Sequence, residues 1–155
     1  MRLSVEEANT CLEAWPEATA GKSAKEKAIV ADCILHAFGK QFVASGGEMA
    51  RFYPICALAE SFDELGLLRE LNWWKRLRWH LVARALRKKR HTFGDRPGVN
   101  DFLMVKWFIS RDPAVASELL DRCGHADPQI AISCKWMLTS VAGRCPPLAE
   151  QLRWT

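Results

Sequence analysis

Strand signals are missing from this 155-residue sequence. No stretch alternates apolar and polar residues over a strand length, and the Asn-Gly and Asp-Gly pairs that close tight hairpins do not occur. Long apolar runs are missing too. Uncharged stretches such as Phe52 to Ala59 fall far short of the ~20 apolar residues that span a bilayer, which excludes a transmembrane helix. Catalytic signatures are as scarce: there is no P-loop, no dinucleotide fingerprint, no Gly-x-Ser-x-Gly and no His-Glu-x-x-His. The one glycine pair, Gly46-Gly47, is too short to cradle phosphates and reads as a turn between helices. The opening stretch MRLSVEEANTCLEAW has two acids where a signal peptide needs its apolar core, so the expected compartment is the cytoplasm.

What is present fits one ordinary globular domain. The chain is 49% hydrophobic and 26% charged, near globular averages, and long enough to bury a core without a metal or disulfide staple. Six cysteines (Cys11, Cys33, Cys56, Cys123, Cys134 and Cys145) mostly sit in apolar company and read as reduced, buried thiols.

Helix starts recur. Ser4-x-x-Glu7, Ser23-x-x-Glu26 and Ser61-x-x-Glu64 have the form of capping boxes, in which hydroxyl and carboxylate each satisfy a free amide of the first turn. Asp112-Pro113 and Asp127-Pro128 pair a capping carboxylate with a proline whose missing N–H is not needed there. These signals predict helices over Val5–Trp15, Ala24–Phe38 (closed by Gly39), Glu48–Ala59 (divided at Pro54) and Phe62–Lys89 if Gly66 does not interrupt it. Further helices are predicted over Asn100–Ser110, Pro113–Cys123 and Pro128–Ala142, with a short tail around Leu148–Trp154. His91–Gly98 reads as a loop, either a plain connector or, with its exposed aromatic and mixed charges, a functional one. The expected fold is all-α, a single domain covering 1–155 with seven or eight helices.

In the C-terminal third, Val115, Leu119 and Leu120 mark one apolar helix face, and Ile130, Cys134, Met137, Leu138 and Val141 mark the next. The stretch from Asp127 to Leu138 resembles the second helix of a HEAT or armadillo repeat, with Val105–Ile109 as part of a preceding helix. The resemblance covers about residues 100–143 and implies a binding scaffold rather than a catalyst. A plain helical bundle gives the same pattern, and no period of about 40 residues runs through the N-terminal half.

Charge supplies the functional lead. The net charge is +4, yet residues 69–96 hold ten basic residues against only Glu70 and Asp95, while the remainder holds twelve basic and sixteen acidic ones. On a helix Arg69, Trp73, Arg76, His80, Arg84 and Arg87 share one stripe, which Lys88 and Arg90 extend. Leu67, Leu71, Trp74, Leu81 and Ala85 form a second line, the expected core face, interrupted by Arg78. A row of cations with an aromatic suits an acidic macromolecule: nucleic acid stands first, an acidic protein surface second, an anionic membrane behind them. The alternative is a solvated helix end whose cations match the helix dipole. The function expected is a non-catalytic interaction module. Its rival is a protein-binding adaptor, inhibitor or immunity-type scaffold without nucleic-acid affinity.

Other clusters are less specific. Cys123-Gly124-His125 with Cys134 and Cys145 has zinc-ligand residue types at spacings that match no finger or ribbon. Asp32 and His36, one helical turn apart, read as a surface ion pair without a nucleophile beside them. No metal, cofactor or catalytic residue is expected.

Overall fold

The computed structural model describes residues 2–153, and among them there are helices and no strands. The chain runs α1 (Val5–Glu13), α2 (Trp15–Ala18), α3 (Ala24–Ala44), α4 (Met49–Glu64), a 3-10 turn (Leu67–Glu70), α5 (Trp73–Phe93), α6 (Gly98–Ser110), α7 (Pro113–Arg122), α8 (Pro128–Ala142) and α9 (Pro146–Arg153). The cap chemistry places most of these starts. Ser4 and Glu7 bond reciprocally as a capping box, Ser23 accepts from the Glu26 amide, and Asp112 and Asp127 cap α7 and α8 ahead of their prolines. Trp154, assigned to the tail helix, lies outside the described residues.

Four expectations are corrected. Gly39 does not end α3, which continues to Ala44 and stops before the paired left-handed glycines Gly46 and Gly47. Pro54 does not divide α4, because a proline in the second turn removes only one early backbone bond. Ser61 starts nothing: it is buried inside α4, whose apolar run from Phe52 to Phe62 carries the helix through. Gly66, with φ of 72° in the left-handed region that glycine enters freely, breaks the proposed long helix into α4 and α5. The Leu71–Asn72 turn then sets a new phase, with the Asn72 side chain accepting from the Lys75 amide to start α5.

One hydrophobic cluster extends from Ala8 to Leu148, so both halves of the chain share a core. At its centre are α4 and α6, each apolar around most of its circumference: Ile55 through Phe62 are all buried on α4, and Phe102 through Val105 on α6. A helix buried on all sides needs no narrow apolar stripe. They meet tightly at Gly98, where a Cβ would fall 2.2 Å from the Tyr53 ring; only glycine fits there. On one flank of α4 lie α3 and α5. On the far side α7 packs against α6, α8 and α9. The predicted apolar faces of α7 and α8 are inward, with Leu119, Ile130, Cys134, Leu138 and Val141 buried and Val115, Leu120 and Met137 half-buried.

Candidate interaction surface

Among the described helices, the main chain of α5 approaches only α4 and the 3-10 turn. A 21-residue helix held along one line leaves most of its circumference facing outward. The held line is Trp79 and Ala83, both buried, continued by half-buried Val82, Leu86, Arg90 and Phe93. This corrects the core face expected from the sequence: Trp74, Leu81 and Ala85 are exposed, because the break at Gly66 and Asn72 rotates α5 relative to Leu67 and Leu68, which are buried.

Two buried acids from other helices fasten the inner side of α5. Asp32 of α3 accepts from the Trp79 indole N–H at 2.7 Å and from Lys75 Nζ at 3.1 Å, with His36 Nε2 3.5 Å away. The expected pairing of Asp32 with His36 is present, but Asp32 is buried and also serves as an internal tie to α5. Glu60 of α4 accepts through one oxygen from Arg87 Nε at 2.8 Å and Arg90 Nη2 at 3.0 Å. The hydrogen bond to Glu60 holds the Arg87 guanidinium above its usual range, and Arg90 lies over the Phe102 ring at 4.3 Å. Both acids are buried, and pairing with hydrogen bonds is what makes a buried charge tolerable.

The predicted stripe thus divides in two. Arg87 and Arg90 turn inward onto Glu60. Arg69 sits on the 3-10 turn rather than on α5, yet it still joins Trp73, Arg76 and His80, with Leu68, Leu77 and one acid, Asp63, around a shallow hollow of about 500 Å³. Arg84 and Lys88 continue outward along the exposed side. None of Arg69, Arg76, Arg78, Arg84, Lys88 and Lys89 has an ion pair among the described residues. Between these cations lie four large apolar side chains: Trp73 (56% exposed), Trp74 (72%), Leu77 (41%) and Leu81 (55%). The two indoles meet edge to face at 4.3 Å. Reading by sequence missed Leu77, and it assigned Trp74 and Leu81 to the core; the cations on both sides of Leu77 (Arg76 and Arg78) and Lys75 after Trp74 carried the contrary signal.

The remaining chemistry-bearing groups have structural partners. His125 accepts from the Asp127 amide at Nδ1 (2.9 Å), so its proton is on Nε2, facing Asp95 at 2.8 Å. Asp95 also binds Arg122, whose hydrogen bond holds the carboxyl below the usual range despite partial burial. Arg122 in turn reaches buried Asn100 at 2.6 Å. This cluster ties the α5–α6 connection to the α7–α8 turn. The loop expected over His91–Gly98 shrinks to Gly94–Pro97, since α5 runs to Phe93 and α6 begins at Gly98. Cys123 and Cys134 both hydrogen bond to the Leu119 carbonyl, and burial pushes the Cys134 thiol up to about 12. All six cysteines are free thiols, no described helix is long and apolar enough to cross a membrane, and no cluster of three metal-ligating side chains occurs among the described residues.

No family model, curated protein or solved structure matches the chain.

Proposed function

We propose that the protein is a non-catalytic interaction module that docks an acidic protein surface onto the outward side of α5. One observation carries this reading: among the described residues, four of the ten exposed large hydrophobic side chains lie on nine consecutive residues of α5, set among unpaired cations. Trp and Arg dominate the binding energy of protein interfaces, and an apolar centre with a charged rim is their usual anatomy. Leu77 and Leu81 need a surface that buries them; the surrounding cations need acids opposite.

A second reading is supported by the hollow of Arg69, Trp73, Arg76 and His80. Cations beside an exposed indole suit a single-stranded nucleic acid, with the backbone on the guanidinium groups and a base on Trp73. The resemblance of residues 100–143 to HEAT or armadillo units belongs to the same proposal, with α6 to α8 as a scaffold joined to the docking helix through α4. We take the compartment to be the cytoplasm, for which the six free thiols are the support.

A photo-crosslinking residue placed at Leu77 or Leu81 in cells tests the docking surface. The expected product is a protein whose crosslinked peptide is rich in Asp and Glu, and the product disappears when Arg84→Glu is added. Crosslinks to nucleic acid alone, with affinity for a single-stranded oligonucleotide falling steeply as salt rises, would replace the first reading by the second. No product from either position would overturn both.

A further inference from the structure

The main chains of α3 and α5 do not touch. They run side by side in the same direction, one end bridged by the Asp32–Trp79 and Asp32–Lys75 bonds. Beyond the other end, the Phe42, Phe52 and Phe93 rings pack in a row at 6.2 and 5.7 Å. Between the helices, above Ile55 of α4, is a groove of about 760 Å³. Its two ends differ in chemistry. At the bridged end it is lined by His36, Lys75 and Arg78; at the other by Phe42, Val43, Val82 and Leu86, with exposed Lys40 on the same stretch of α3, and Arg2 also lines it. The lining contains one acid, Asp32, and both its oxygens already accept from Trp79 and Lys75. Asp32 matches Lys75, so the positive charge left over in the trough is that of Arg78 and Lys40, neither of which has an ion pair among the described residues.

Gly39 adds an independent observation. It lies inside α3 and lines the groove. Glycine in a helix interior costs roughly 0.5–1 kcal/mol relative to alanine, and here no close packing requires it: a Cβ would meet nothing within 4 Å. Its missing side chain leaves the middle of the trough open.

We propose that this groove binds a small amphiphile, a single alkyl chain ending in an anionic head, with the head at Arg78 and Lys75 and the chain running past Gly39 to Phe42 and Leu86. The volume suits such a ligand, since small-molecule sites span roughly 300–1,000 Å³. A partner helix of 10–12 Å diameter lying along three turns would need about 1,300 Å³ or more. The site uses the inner side of α5 together with α3, and so stands apart from the outward docking surface.

Calorimetric titration of the full chain with dodecanoate tests it, below the concentration at which that ligand forms micelles. Saturable one-to-one binding is expected, with dodecanol at least about tenfold weaker because it forgoes a charge-assisted contact. Gly39→Phe should abolish binding without lowering the melting temperature. Arg78→Glu should weaken it about tenfold or more, while Arg84→Glu leaves it unchanged. Should Gly39→Phe fold poorly, Val43→Glu at an exposed position puts a charge at the alkyl end and should abolish binding in a folded protein. Absence of saturable binding, equal binding of dodecanol, or binding that survives both groove substitutions would overturn the proposal. So would a silent dodecanoate titration alongside an acidic amphipathic peptide that binds and is blocked by Gly39→Phe, which would assign the groove to a partner helix.

Discussion

The inner and outer sides of α5 are built from the same residue types, Arg, Lys, Trp and Leu, and they do opposite things. On the inner side Lys75, Trp79, Arg87 and Arg90 meet Asp32 and Glu60. On the outer side Trp73, Arg76, Leu77, Leu81, Arg84 and Lys88 are exposed, and none of the three cations has an ion pair among the described residues, although Asp63 shares the hollow with Arg76. The difference is not one of composition. It lies in whether α3 or α4 brings a buried carboxylate within reach, so a basic helix becomes structural along one line and free for a partner along the rest.

The sharpest way to break this comparison is to remove Glu60. Glu60→Ala leaves half-buried Arg90 and exposed Arg87 without their acceptor, so it should lower the unfolding free energy by about 3 kcal/mol in urea titrations, the low end of the roughly 3–5 kcal/mol for breaking a fully buried pair. Arg84→Ala should change it by no more than about 0.5 kcal/mol. If Arg84→Ala proved as damaging as Glu60→Ala, the two sides would not differ.

Asp101 of α6 sharpens the contrast as a half-buried acid with no ion pair among the described residues. Burial alone pushes its carboxyl up to about 6 from 3.8. Because the folded state holds this proton more tightly than the unfolded state, the group contributes stability below about pH 4 that is lost as pH rises through about 6. At 1.4 kcal/mol per unit the loss is at most about 3 kcal/mol. Unfolding curves for the natural chain and Asp101→Asn should diverge over that interval, the natural chain falling more steeply. Parallel curves would remove the burial effect. Asp95 behaves oppositely, since the Arg122 hydrogen bond lowers its range: its contribution is present above about pH 4 and fades in stronger acid.

Asp32→Ala should have a smaller effect, about 1–3 kcal/mol for leaving the Trp79 N–H without an acceptor. It should also quench no outward function, which separates it from substitutions at Trp73 or Arg84.

What could be read from the sequence was local chemistry. Ser4, Ser23, Asp112 and Asp127 satisfy amides two or three residues away, so the motif and its result lie within one turn. The grouping of Arg69, Trp73, Arg76 and His80 was legible for a similar reason, because one short turn carries the first residue to the rest. Ser61-x-x-Glu64 failed because the same four residues also fit the end of a helix already stabilised by burial from Phe52 to Phe62. The division of α5 into two sides could not be read, because Asp32 and Glu60 are 27 to 47 residues from the groups they bind. An arginine in a basic run looks the same before its carboxylate is brought to it.

The most direct measurement is a paired charge reversal followed by urea denaturation: Arg76→Glu with Arg84→Glu and Lys88→Glu on the outer side, against Arg90→Glu alone on the inner. The outer triple should unfold within about 1–2 kcal/mol of the natural chain, and the single inner change, which sets two carboxylates together beneath the helix, should lose about 3 kcal/mol or more. A triple variant as unstable as Arg90→Glu, or an Arg90→Glu variant as stable as the natural chain, would contradict the account.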